Sequence, residues 1–284
     1  MSRKTLFSRM RRSTFFMTGI IVVVIVLLFC IVGPLFVHWD PNVNDLRSTF
    51  LAPEWFKDGL KGHILGTDAL GRDLLARLLL GGQYSMRIAL ISVLLSTAIG
   101  VVMGLMAGYF GGWVNTIIMR LCDVLLAIPS MILAIAILAV LGASERNLIF
   151  VMTFSSWVGQ CRIVRNEVNL LKKREFVMAS KALGAKGPHI MFKQIFPNTT
   201  TNLLIMGSQR FGMMILMESG LSYLGLGIMA PAPSWGGMIA AGRVYLVTNP
   251  QMIIVPGVAL MLTVLSFNFL GDGVRDVLDT KRKI

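Results

Sequence analysis

The chain has 284 residues, a formal net charge of +13, 55% hydrophobic and 14% charged residues, and a mean hydropathy of +0.72. Soluble domains carry about a quarter charged residues, so this composition excludes an ordinary soluble domain and leaves a membrane protein. The positive charge calls for no nucleic acid, because membrane topology and attraction to anionic lipid account for it.

A helix needs about 20 consecutive apolar residues to cross a bilayer. Residues 14–36 meet that standard with no charge inside them. The segments near 88–110, 117–141, 148–164, 203–228 and 252–270 are long enough or nearly so, which predicts six spans. The fourth is the shortest and runs directly into Arg162 and Arg165. Arg9, Arg11 and Arg12 suit the start of a signal peptide, but the apolar stretch is too long and no small-residue cleavage site follows. It reads as a retained first span. Cys30, Cys122 and Cys161 lie in or beside spans without metal-ligand spacing and read as packing residues.

Basic residues near span ends resist translocation. They concentrate at the amino terminus (Arg3, Lys4, Arg9, Arg11, Arg12), at the carboxy terminus (Arg275, Lys281, Arg282, Lys283) and in the block 162–198. Six spans put all three on one side, so both termini are expected in the cytoplasm. The expected plan is an all-α polytopic membrane protein: a tail 1–13, a first span 14–37, an external loop 38–85, a five-span core 86–276 with its cytoplasmic loop 162–198, and a tail 277–284.

In the external loop, Gly66 suits a turn and Thr67 or Asp68 could cap a helix. Leu70, Leu74, Leu75, Leu78 and Leu79 then recur at helical spacing against Arg72, Asp73 and Arg77. That pattern predicts an amphipathic helix on the outer membrane face. The second span carries Gly100, Gly104 and Gly108, a small-xxx-small ladder that lets helices approach closely. Packing within the subunit is its plainer use. Gly111 and Gly112 mark a cytoplasmic turn.

Ionisable residues inside spans are costly and mark candidate sites. Arg120 and Asp123 share a face of the third span, which Pro129 is expected to kink. Arg210 and Glu218 lie eight apart in the fifth, where Met206, Met213 and Met217 share a face. Each charge either pairs with another, on its own or a neighbouring helix, or lines a pathway. Beyond the fifth span, 231–239 is a second external segment, and Trp235 and Tyr245 suit an interfacial aromatic belt.

Familiar catalytic patterns are absent from the sequence. There is no Gly-x-x-x-x-Gly-Lys-Ser/Thr phosphate loop, no Gly-x-Ser-x-Gly elbow and no His-Glu-x-x-His zinc helix. His38, His63 and His189 are scattered over opposite sides of the membrane. Transport, or the scaffolding of a transporter, is what remains.

The block 162–198 is a charged hairpin that must leave the bilayer. Phe176, Val177, Ala179, Ala182 and Leu183 give a short helix an apolar stripe, and Gly184 ends it. A second short helix runs from about Pro188 to Ile195, with Pro197 as its breaker. The pair forms a knob suited to a groove on a soluble partner.

The stretch Ala179-Ser180-x-x-x-Gly184, with Pro197 thirteen positions on, resembles the EAA loop of bacterial ABC-importer permeases. Its clear departure from that pattern is Met178, which stands where the family has glutamate, the nearest acid, Glu175, being one turn earlier; Ser180 for alanine and Phe196 for leucine are milder changes. The segment 63–73, His-Ile-Leu-Gly-Thr-Asp-Ala-Leu-Gly-Arg-Asp, is similar to the signature of the C-type permease of dipeptide/oligopeptide/nickel importers, as are 218–227, 231–239 and 268–276.

The resemblance implies a type I importer permease that is not itself an enzyme and binds no cofactor. ATP and magnesium belong to two partner ATPase subunits. A homologous B-type permease completes the pathway, an external binding protein delivers peptide cargo, and lipid of a bacterial or archaeal cytoplasmic membrane surrounds the spans. It assigns ATPase docking to Glu175, Met178, Ala179, Ser180, Ala182, Leu183, Gly184, Ile195 and Pro197. It assigns the external receiving or gating segment to Gly66, Thr67, Asp68, Gly71, Arg72, Asp73, Pro233, Trp235 and Gly236. Rival readings are the same architecture carrying nickel or a metal chelate, an ion-coupled secondary transporter relaying through Asp123, Arg210 and Glu218, and a scaffold without a pathway.

Overall fold

The computed structural model describes residues 10–54 and 62–278, and within them it is helical with no β-strand. The terminal basic residues Arg3, Lys4, Arg9 and 281–283 lie outside the described residues. In chain order the helices are α1 (Thr14–Val32), α2 (Leu74–Phe110), α3 (Gly112–Leu126), α4 (Ser130–Leu141), α5 (Glu145–Leu171), α6 (Glu175–Ala182), α7 (Phe196–Tyr223), α8 (Trp235–Gly242) and α9 (Gln251–Leu278).

Three helices are long and apolar enough to cross a membrane: α1 with its following turn, α2 and α9. The bent pair α3 and α4 makes a fourth candidate. The six-span expectation is therefore met only in part. α5 has 27 residues, about 40 Å of helix, and α7 has 28. Both are long enough to cross, but polar residues such as Gln160, Arg210 and Glu218 dilute their apolar character.

The separate amphipathic helix on the outer face does not form. α2 runs unbroken for 37 residues from Leu74, so the expected boundary near residue 85 falls inside it. The leucines at 74, 78 and 79 are buried in the protein rather than laid on lipid. Its cap also lies beyond the expected Thr67 or Asp68: the Asp73 carboxylate accepts from the Ala76 amide at 2.7 Å.

The expected kink at Pro129 is an 84° bend between α3 and α4. Proline supplies no amide hydrogen and drives the residue before it out of helical geometry. Pro197, by contrast, breaks nothing. Helical geometry runs from Gly187 through Ile190–Ile195, a π-helical turn, into α7. The Phe196 amide reaches back five residues to the Met191 carbonyl, and this wider turn accommodates a proline where a tight α-helical ladder would clash.

The most extensive helix pair is α2 against α5. A Cβ on Gly100, Gly104 or Gly108 would stand 2.6 to 2.7 Å from atoms of Gln160, Trp157, Cys161, Val164 or Val168. The ladder is thus spent on packing inside the subunit. α9 packs against α1 and α7. One apolar core joins α2, α4, α5, α7 and α8 around Trp235, and a second joins the knob to α2 and α5.

Candidate functional site

Sequence makes the knob rigid. α6 begins with Glu175 in its first turn, where a negative charge suits the helix dipole. It ends in a Schellman motif: the Gly184 amide bonds the Lys181 carbonyl at 3.1 Å and the Ala185 amide bonds the Ser180 carbonyl at 3.1 Å. Gly184 has φ +82°, a conformation that costs any residue with a Cβ about 1–2 kcal/mol. The Ser180 hydroxyl accepts from Gln194 Nε2 at 2.5 Å, which ties α6 to the π-helical turn.

Below that tie, Val177, Ile190, Met191 and Ile195 are buried with Val101 and Leu105 of α2 and Val164 and Val168 of α5. Lys172 crosses to the end of α2 and donates to the carbonyls of Gly108 at 3.1 Å and Tyr109 at 2.6 Å. A cation there satisfies terminal carbonyls and the dipole together. Desolvation, followed by repulsion from Lys181, lowers its pKa below the usual lysine value.

What the knob presents outward is apolar and basic. Phe176, Met178 and Leu183 are 45%, 53% and 89% exposed. Glu175, Ala179, Ala182, Gly184, Pro197, Lys173, Arg174, Lys181 and Lys186 are exposed around them. The stripe predicted for α6 is thus divided: Val177 alone turns inward, and Phe176 and Leu183 face out. Exposed apolar side chains grouped on one short helix are the kind of patch that interaction surfaces use.

The segment 63–73 forms a buried buckle. Thr67 donates to the Ser48 carbonyl at 2.5 Å and accepts from the Leu51 amide at 2.9 Å. Asp68 accepts from the amides of Leu70 and Arg72 and from Arg72 Nε, and pairs with Arg77 at 3.4 Å. His63 Nδ1 meets Asp73 at 2.9 Å. Gly71 has φ +73°, and a Cβ there would stand 1.7 Å from the Asp45 carbonyl oxygen. Gly66 is equally enclosed, its Cβ position 2.2 Å from the Leu51 oxygen.

Arg77, expected only on the polar side of an amphipathic helix, links this buckle to the segment 231–239. Its guanidinium donates to the carbonyls of Pro41 and Pro231. Trp235 lies buried against Gly82 with its indole bonded to Leu78, so it belongs to the core and not to an interfacial belt. Pro233 is buried beside it, and Gly236 allows close approach to the Ser219 backbone. Tyr245 packs edge-on against Phe50.

The intramembrane charges separate. Asp123 pairs with Arg162 of α5 at 2.5 Å, leaving Arg120 exposed and without an ion-pair partner among the described residues. Arg210 and Glu218 do not meet. Arg210 donates to the Ser156 carbonyl at 2.8 Å beside a groove between α3, α4, α5 and α7. Glu218 is 0% exposed and accepts from Ser222 at 2.7 Å and Ser219 at 3.4 Å, with the hydroxyls of Ser85 and Ser234 completing its shell. These serines come from three parts of the chain, and only hydroxyl-bearing positions on otherwise apolar elements hinted at them.

Comparison with known proteins agrees with this architecture. The family model described as "Binding-protein-dependent transport system inner membrane component" matches residues 100–284. A second, the "N-terminal TM domain of oligopeptide transport permease C", matches residues 4–53. The chain is 41% identical to the glutathione transport system permease protein GsiD of Pectobacterium atrosepticum over 78% of its length and 73% of the relative's. It is 37% identical to the oligopeptide transport system permease protein OppC of Bacillus subtilis, over 96% and 88%. With the dipeptide transport system permease protein DppC of Alkalihalophilus pseudofirmus it shares 35% identity over 98% and 89%.

A solved structure of the MetNI methionine ABC transporter, in inward-facing conformations, superposes with a TM-score of 0.57 at 20% identity. It covers 71% of this chain and 96% of that one. At that identity the likeness shows the fold. The two family matches, the relatives and the shared fold lead to one conclusion: the chain belongs to the inner-membrane permeases of binding-protein-dependent ABC importers, within the permease C group of the dipeptide/oligopeptide family.

Proposed function

We propose that this permease forms, with a homologous B-type permease, a pathway carrying di- and oligopeptides into the cytoplasm of a bacterium. An external binding protein hands the peptide over, and two ATPase subunits, which hold the ATP and magnesium, seat against the knob. The cargo reading rests on relatives named for dipeptide, oligopeptide and glutathione transport, all peptide cargoes.

The observation that carries the mechanism is the knob's construction: an exposed apolar tip on a base buried against α2 and α5 and continuous with α7. A load on Phe176, Met178 and Leu183 passes through the buried base and the Ser180–Gln194 bond into three long helices. ATP biases the pathway only by binding two arrangements differently, and a rigid handle converts that difference into helix movement. With Met178 in place of an acid, the tip engages its partner through apolar contact and surrounding lysines. Because the signature side chains Thr67, Asp68 and Asp73 are buried, receipt of the binding protein falls to exposed neighbours such as Trp39, Ile64 and Leu70.

The test is reconstitution of the chain with its partner permease, both ATPases and the binding protein in liposomes, followed by uptake of labelled di- and tripeptides. ATP-dependent accumulation is expected. Nickel uptake without peptide uptake would replace the cargo. Uptake that survives ATP depletion and collapses with the proton gradient would replace the mechanism.

A further inference from the structure

The groove between α3, α4, α5 and α7 has a volume of about 690 Å³. Methionines dominate its wall, with Met131, Met206, Met213, Met214 and Met217 all facing it, and no carboxylate lines it. Its charged residue is Arg210, near the middle of α7. Gly159 of α5 makes room for the guanidinium, since a Cβ there would stand 2.3 Å from Nη2.

A guanidinium offers five donors, and among the described residues this one has a single acceptor, the Ser156 carbonyl. The carboxylates that could neutralise it are engaged elsewhere. Glu218 is enclosed by serines, Asp123 is held by Arg162, and Asp272 accepts from Gln209. A half-buried cation in a spanning helix is costly unless it is paired or lines a water-filled path. Ser155, Ser156 and Gln209 beside it make the groove equally unsuited to lipid. Among the described residues, no carboxylate pairs with the Arg210 guanidinium.

We infer that Arg210 reads the cargo: its guanidinium receives the C-terminal carboxylate of a peptide in the groove, while the methionines form a pliable wall for varied side chains. This rests on the peptide reading above. The C-terminal carboxylate is the one anionic group that peptides share whatever their sequence. Guanidinium–carboxylate geometry is bidentate, and flexible thioethers adapt to different shapes. One fixed cation in an adaptable wall therefore accepts many peptides by a common end.

The test compares uptake of a tripeptide and its C-terminal amide by the full reconstituted complex, at saturating loaded binding protein so that capture does not limit. Arg210→Gln is expected to lower the acid-to-amide uptake ratio about tenfold, as loss of a charged hydrogen bond implies, and Arg210→Lys to restore part of it. Equal loss of acid and amide uptake, or an unchanged ratio, overturns the inference and leaves the peptide reading intact. Absence of any peptide uptake by the wild type removes both. If the glutamine variant fails to assemble, phenylglyoxal modification of Arg210 in the wild-type complex decides: protection by the acid but not the amide supports the inference, and equal protection or none overturns it.

Discussion

The Trp235 indole N–H donates to the Leu78 carbonyl at 2.9 Å, joining α8 to the first turns of α2 across 157 residues of sequence. The ring lies close over Gly82, whose Cβ position is 2.6 Å from Trp235 Cζ2. The Trp235 amide meets Ser85 Oγ one turn further along at 3.3 Å. Trp235→Ala should therefore cost about 3–5 kcal/mol. Trp235→Phe, which keeps most of the ring volume and loses the bond, should cost about 1 kcal/mol. Thermal melting of the detergent-solubilised protein checks both, and an unshifted melting temperature for the alanine variant would refute the account.

Asp73 caps α2 and holds His63. Asparagine caps nearly as well as aspartate, and alanine does not. Asp73→Ala should be less stable than Asp73→Asn by about 1 kcal/mol. Equal melting of the two variants would mean that the cap contributes nothing.

Gly104 and Gly207 both sit in long helices and should respond oppositely to alanine. A Cβ at Gly104 would stand 2.7 Å from the Cys161 carbonyl oxygen of α5, whereas one at Gly207 meets nothing within 4 Å. Gly104→Ala should destabilise by about 1–3 kcal/mol through overpacking. Gly207→Ala should be neutral or stabilising by up to about 1 kcal/mol. Matching losses would contradict the close α2–α5 approach.

On the knob, Gly184→Pro forces φ from +82° to about −65° and removes the amide bonded to Lys181. The chain should still insert and assemble, yet hydrolysis of ATP should no longer drive uptake. Leu183→Asp, at an 89% exposed position, should leave the chain's melting temperature unchanged and weaken retention of the ATPase subunits during purification. Normal coupled uptake in both variants would remove the docking role.

Glu218→Gln nearly preserves the shape and acceptor oxygen that Ser222 uses, so the fold and uptake should survive. Glu218→Leu leaves buried hydroxyls without their acceptor and should cost about 1–3 kcal/mol. Loss of uptake in a fully folded glutamine variant would return Glu218 to the pathway.

Much of the architecture was legible in the chain because local rules govern it. The apolar segments, the bend at Pro129, the Gly111 turn and the end of α6 at Gly184 each follow from a few adjacent residues. Distant partners override the local pattern in three places. The leucines at 74, 78 and 79 look like one face of a surface helix, but α8, α9, α1 and the turn after α1 cover them, and they form the first turns of α2 itself. Pro197 looks like a breaker, but the π-helical turn before it supplies the room. Trp235 looks interfacial, but Gly82 opens a slot for it in the core.

The same division holds for the sites. Sequence by itself determined that the chain is a membrane protein, carried the motifs that resemble importer permeases, and located the knob and the charges inside the expected spans, since composition, helical period and short motifs are properties of neighbouring residues. Tertiary structure alone decided which of those charges are satisfied. Asp123 finds Arg162 on a neighbouring helix and Glu218 finds serines from three parts of the chain, whereas Arg210 faces an open groove with one carbonyl. A buried charge is costly or harmless according to what stands within about 4 Å of it, and helices brought together from far apart in the chain set that distance.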